Sequence, residues 1–205
     1  MHPKVLSPEA WDTVRHLAEG GWLNSWILGG GTGLALQLGH RHSEDLDLFS
    51  TDSFDPQSVA EGLSGLGRVQ VQNRSADTLH LTLDGLRISF LKTQTPLLFE
   101  GTAYRGLTVA DPRDIAVMKV IAIGGRGSRK DFVDLYFYLR TSATLAGVFE
   151  LLERRFRGLD YNTYHLLKSL VYFEDAEEEP MPRMIRPVEW ETVKEAIVED
   201  VRRLS

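Results

Sequence analysis

Residues 28–49 read LGGGTGLALQLGHRHSEDLDLF. The apolar run Ser25 to Leu28 has strand character. It enters Gly29-Gly30-Gly31, and Thr32 to Leu38 follows as a helix. A strand–glycine–helix turn presents backbone N–H groups and a helix N-terminus to an anion. Glycine lets a phosphate approach without meeting a side chain. No Gly-Lys-Ser/Thr follows, so the turn is not a Walker A loop, and it does not match a dinucleotide fingerprint. Taken alone, it is equally a tight turn with close helix–strand packing. The second half of the stretch adds chemistry. Asp45 and Asp47 alternate with Leu46 and Leu48, which is strand period. Both carboxylates leave one face, and the leucines enter the core on the other. Two like charges that close repel and call for a cation. Paired carboxylates on a rigid strand suit Mg²⁺, with Mn²⁺ as a substitute, because a hard ion takes oxygen ligands.

Outward from this stretch, Ser7-Pro8-Glu9 opens a helix that Gly20-Gly21 ends. Asp52 to Gly65 is loop and helix. Arg68 to Asn73, Thr78 to Leu83 and Leu86 to Leu91 are strands, the last two joined by Asp84-Gly85, a strong hairpin signal. From Asp111 the period turns helical. Asp111-Pro112-Arg113-Asp114 is an entry signal, with Ile115, Met118, Lys119 and Ala122 at helical spacing. Gly124 to Ser128 is expected to break that helix. Further helices are expected at Lys130 to Leu139, Ala143 to Phe156, Tyr161 to Tyr172 and Glu189 to Leu204, with Glu174 to Pro187 as a charged, proline-rich loop. The expectation is an α+β fold: a short mixed sheet flanked by helices over residues 1–110, then a helical region over 111–205 that contributes to a cleft.

Composition narrows the classes. The chain has 205 residues and a formal charge of −6, which disfavours a broad, sequence-blind nucleic-acid coat but leaves room for a local basic groove. It has no cysteine, so thiolate catalysis, disulfides and cysteine zinc sites are excluded. No stretch is apolar enough for a membrane span, and Pro8 and Glu9 interrupt the opening before any signal-peptide core. A cytoplasmic protein without membrane contact is expected.

The glycine turn followed 14 residues later (45 − 31) by Asp-x-Asp resembles the nucleotidyltransferase superfamily typified by DNA polymerase beta. Gly30, Gly31 and Thr32 match its turn, and Asp45 and Asp47 its strand. Arg41, Ser43 and the string HRHSEDLDLF narrow the match to a family that looks like the toxins of bacterial abortive-infection and type IV toxin–antitoxin systems. A second block, DPRDIAVMKVIAIGGRGSRKDFVDLYFYL at residues 111–139, supports this. In that family an Asp and a Lys share one helix, and a basic loop leads into a Lys-Asp-x-x-Asp-Leu helix. Asp114, Lys119, Arg126, Lys130, Asp131 and Asp134 fall on those places. The nucleotidyltransferase-like fold is therefore expected.

The resemblance implies transfer of a nucleoside monophosphate from a nucleoside triphosphate to an RNA or protein hydroxyl, and a cognate antitoxin as partner. Asp45 and Asp47 would hold the metal, with Lys119 and Asp131 beside them in catalysis. Gly30, Gly31, Thr32, Arg41, Ser43, Arg126 and Lys130 would hold the nucleotide. Two roles stay open for Asp131 and Asp134, direct catalysis or ion pairing to Lys and Arg residues. Lys119 on an apolar helix must reach solvent, an anion or a carboxylate. Arg41 is expected near Asp45. His40 and His42 are ambiguous, and His16, His80 and His165 read as ordinary residues. One departure stands out. The superfamily's third carboxylate aligns with Ser89, and a hydroxyl is a weaker base and a poor Mg²⁺ ligand. A catalytically degenerate nucleotide-binding or protein-interaction module is thus the alternative, and a metal-dependent phosphoesterase a third.

Overall fold

The computed structural model describes residues 1–141, 143–159 and 161–204. Helix α1 (Pro8–Glu19) starts where Ser7 accepts a hydrogen bond from the Ala10 N–H. Strand β1 (Ile27–Leu28) is short and leads directly into α2 (Gly30–Leu38), which begins two residues earlier than expected. Strand β2 (Asp45–Ser50) follows, then α3 (Pro56–Leu63), capped by Asp55. Strands β3 (Val69–Ser75), β4 (Thr78–Leu83) and β5 (Leu86–Lys92) form the expected meander. Its tight turn has positive φ at both Asp84 and Gly85, as a type I′ hairpin requires.

A second hairpin, β6 (Thr102–Tyr104) and β7 (Leu107–Val109), was not expected from the sequence. Three-residue strands are too short to display a period. The mark they leave is Arg105-Gly106, again with positive φ at both residues. The seven strands form one mixed sheet in the order β3-β4-β5-β2-β1-β7-β6. β2 runs parallel to β5 and antiparallel to β1, and β1 runs parallel to β7.

Helix α4 (Pro112–Arg126) runs through Gly124 and Gly125 and stops at Gly127, which has φ +56. The break falls inside the expected stretch, at its fourth residue, because a left-handed cap, not glycine as such, ends the helix. Helices α5 (Arg129–Leu139), α6 (Leu145–Arg155) and α7 (Thr163–Ser169) follow. The expected loop at Glu174 holds a short helix, α8 (Glu174–Glu177), before α9 (Trp190–Arg202) closes the fold.

The core has two parts. Leu46 and Leu48 of β2 pack with Val14 and Leu17 of α1, Leu63 of α3 and the leucines of β4. Full burial of each such side chain stabilises by roughly 1.5–3 kcal/mol. The helices from α4 onward have their own cluster, in which the rings of Phe132, Phe173 and Trp190 meet with centroids 5.0 to 5.9 Å apart. Between α8 and α9 the chain returns to the loop before β2. Arg41 and Met184 form an antiparallel bridge. The N–H groups of Ile185 and Arg186 donate to the His40 carbonyl at 2.9 and 3.0 Å, and that of His42 to the Arg183 carbonyl at 2.8 Å.

Candidate active site

The alternation of β2 buries its leucines and turns Asp45 and Asp47 outward, into a cavity of about 570 Å³ between the sheet and α4–α5. The Gly29 N–H donates to the Asp47 carbonyl at 2.9 Å and fixes the turn against the strand. Gly30 has φ +57, and a Cβ there would collide with the Asp47 carboxylate. A Cβ at Gly31 would strike the Arg41 guanidinium. Glycine is thus required twice by close approach, once to each charged group. Thr32 Oγ1 is hydrogen-bonded to Ser43 Oγ at 2.7 Å and also donates to the Asp45 carbonyl, which ties α2 to the start of β2.

The two carboxylates differ in their partners. Asp45 pairs with Arg87 of β5 and has Lys130 Nζ at 3.8 Å. Its side chain is 30% exposed and that of Arg87 62%. Such a pair contributes about 0–1 kcal/mol and gives way easily to a ligand. The Asp47 carboxylate makes no hydrogen bond or ion pair with any described residue.

Behind this face lies a buried ionic cluster. Asp134 is fully buried and accepts from Arg41 Nε at 2.7 Å and Nη2 at 2.9 Å, from His40 Nε2 at 2.7 Å, and from Lys119 Nζ at 2.5 Å. Asp131, also fully buried, accepts from Lys119 Nζ at 2.7 Å and from Arg126 Nε at 2.8 Å and Nη2 at 3.2 Å. Burial opposes ionisation of both acids, but the cations outweigh it. Arg41 and Lys119 hold Asp134 well below the usual carboxylate range, and Lys119 and Arg126 hold Asp131 below it. Burial likewise pushes Lys119 down, and Asp134 and Asp131 together raise it above an ordinary lysine. Burial wins at His40: its pKa is lowered despite Asp134, so it is neutral and donates through Nε2. Three cations against two carboxylates leave the cluster at +1 (3 − 2), facing the acids of β2.

Of the residues singled out in the sequence, Gly31, Thr32, Arg41, Ser43, Asp45, Asp47, Lys119, Arg126 and Lys130 line this one cavity. Gly30 abuts it through Asp47. Arg41 lines the cavity as expected, but its ionic partner is Asp134, 93 residues away, instead of Asp45. Lys119 reaches carboxylates, not solvent. Asp131 stands behind the cavity wall with both oxygens engaged. Asp114 lies elsewhere: it is buried and accepts from the N–H groups of Leu98 and Phe99.

Strand register sets Asp47 opposite Ser89 and Asp45 opposite Arg87, so the residue beside Asp47 on the neighbouring strand is a serine. On its other side Ser89 faces His80 of β4, whose Nδ1 lies 2.9 Å from Ser89 Oγ. His80, read as an ordinary residue in the sequence, also lines the cavity. The hairpin offered the signal, since a two-residue turn at 84–85 pairs position 80 with 89.

The donor set fits a divalent cation of the magnesium type. Two carboxylates share one open face, and one of them has no partner. Among the described residues no group of three or more His, Asp or Glu gathers as a metal cage. Mg²⁺ is commonly held by one or two carboxylates together with substrate phosphates, so two suffice in principle. No helix among the described residues is long and apolar enough to cross a membrane.

Residues 12–87 and 87–203 match the family described as "Nucleotidyl transferase AbiEii toxin, Type IV TA system". The chain is 38% identical over 197 residues to the uncharacterized protein aq_aa25 of Aquifex aeolicus, covering 94% of each. Among solved structures it is similar to MenT4, the nucleotidyltransferase toxin Rv2826c of Mycobacterium tuberculosis. The TM-score is 0.59 at 18% identity, with 96% of this chain and 82% of that one covered. JHP933 of Helicobacter pylori gives a TM-score of 0.58 at 17% identity, covering 97% and 93%. At these identities the two structures speak for the fold alone.

Proposed function

The chain belongs to the AbiEii family of nucleotidyltransferase toxins of type IV toxin–antitoxin systems, within the DNA polymerase beta-like superfamily, and on that premise we propose that it transfers a nucleoside monophosphate from a nucleoside triphosphate to a hydroxyl of an RNA or a protein. The observation that carries this reading is the Asp47 carboxylate. It is unpaired among the described residues and pressed against Gly30, at a cavity that Arg87, Arg126 and Lys130 also line.

Asp45 and Asp47 would hold Mg²⁺ or Mn²⁺, which supplies positive charge to offset that of the triphosphate. The chain's own residues do the rest. The first turn of α2 at Gly30, Gly31 and Thr32 offers N–H groups to the β and γ phosphates. Lys130 and Arg126 are exposed at the rim and meet phosphate oxygens. Arg87, whose pair with Asp45 is mostly exposed, would be a further contact for phosphate oxygens. Arg41, Ser43, Lys119 and Asp131 keep the wall in shape and set its net positive charge. Asp131 acts here as a positioning residue, since both its oxygens are taken. Catalysis in this scheme is positioning and charge neutralisation, as is usual for phosphoryl and nucleotidyl transfer. A protein antitoxin is the partner that the family implies.

The test combines the full-length protein with Mg²⁺, each α-labelled nucleoside triphosphate, and total cell RNA or lysate. Label in the RNA or protein fraction is expected, and its loss on Asp47→Asn. Ser89 opposite Asp47 favours the alternative, a nucleotide-binding module without transfer. Triphosphate binding with no label transferred would establish that alternative.

A further inference from the structure

The serine in the third-acid place leaves a chemical question: which group takes the proton of the attacking hydroxyl? Resting on the transfer reaction proposed above, we propose that His80 is that base and that Ser89 orients it. His80 Nδ1 and Ser89 Oγ lie 2.9 Å apart on neighbouring strands, in register. With Nδ1–H donating to the serine, Nε2 carries the free lone pair. It has no hydrogen-bond partner among the described residues. Ser89 is in turn the register partner of Asp47, so the imidazole stands on the carboxylate face, one strand beyond the usual acid. His80, Ser89 and both aspartates line the same cavity. Base, orienting hydroxyl and open lone pair are the arrangement a general base needs.

In the step, the acceptor oxygen forms a bond to the α-phosphorus as the bond from that phosphorus to the α–β bridging oxygen breaks. The hydroxyl proton passes to His80 Nε2, and pyrophosphate leaves with the bonding electrons. The imidazolium then releases its proton to solvent. The charged groups that line the cavity with the imidazole are Arg41 of the loop before β2, Asp45 and Asp47 of β2, Arg87 of β5, Lys119 and Arg126 of α4, and Lys130 of α5, while β3 contributes the uncharged Gln72.

The experiment measures initial rates of label transfer to total cell RNA or lysate protein from pH 5.5 to 9, with Mg²⁺ and saturating triphosphate, and triphosphate affinity separately. The native rate should rise with pH and then level. His80→Gln should lower the plateau about 10²-fold and abolish that rise, with triphosphate affinity within about twofold of native. Ser89→Asp in the His80→Gln background should recover part of the rate, with its rise at lower pH. A His80→Gln enzyme that keeps the native rate, keeps the pH rise, or loses affinity in step with rate overturns the assignment and leaves the transferase reading intact. A native protein that transfers no label overturns both.

Discussion

The cavity has two charged walls built on opposite plans. Behind it, Arg41 and Lys119 meet Asp131 and Asp134 in dry contacts of 2.5 to 2.9 Å, and the more exposed Arg126 closes over Asp131. In front, Asp45 meets a mostly exposed Arg87, and the Asp47 carboxylate has no hydrogen bond or ion pair among the described residues. Low dielectric makes the first wall rigid and hard to rearrange, and water makes the second exchangeable. The difference teaches where to look for function. Charges already satisfied inside shape the site, whereas those satisfied weakly or not at all are left for a ligand.

Substitutions should separate the walls. Asp134→Ala strands the buried Arg41 and leaves Lys119 with Asp131 alone, and is expected to destabilise by about 3–5 kcal/mol, read from urea unfolding. Asp47→Asn should do the reverse, cutting transfer by about 10²–10³-fold while leaving the urea midpoint near native. If Asp47→Asn unfolds the protein, or Asp134→Ala does not weaken it, the contrast fails. Gly30→Ala tests the seam between walls. Its left-handed φ costs about 1–2 kcal/mol for an L-residue, and its Cβ displaces Asp47, so a modest loss of stability should accompany a large loss of transfer. Arg87→Ala should be smallest, changing stability by less than about 1 kcal/mol while weakening triphosphate binding in a filter assay.

Acid provides a further way to sharpen the contrast. Asp131 and Asp134 have depressed folded-state pKa values. Their contribution is complete above the unfolded value of about 3.9 and is lost as pH falls through the folded values. Urea midpoints measured from pH 7 to pH 2.5 should drop steeply below about pH 4, and less steeply in Asp134→Asn. Lys119, raised above an ordinary lysine, loses its contribution only as pH climbs through that raised value.

Local physics made much of this legible in the sequence. The alternation of Asp45 to Leu48 gives β2 and its faces, and Asp84-Gly85 gives the hairpin and the place of Ser89. What stayed hidden is non-local or very short. Nothing in sequence links His40 or Arg41 to Asp134, because the contact forms only when α5 packs beside the β2 approach. Strands β6 and β7 are below the length at which alternation registers. The proposed role of His80 was hidden for a different reason: it depends on counting outward from the turn and on noticing that its partner Ser89 lies beside Asp47.

The bridge between Arg41 and Met184 has a mechanical consequence. Three peptide hydrogen bonds clasp residues 183–186 to 40–42, and that clasp sits at the root of the Arg41 side chain. The stretch between α8 and α9 is therefore a latch on the rear wall. A proteolytic nick, a deletion or a tether introduced there would be felt as a loosened guanidinium some 140 residues earlier in the chain (184 − 41 = 143).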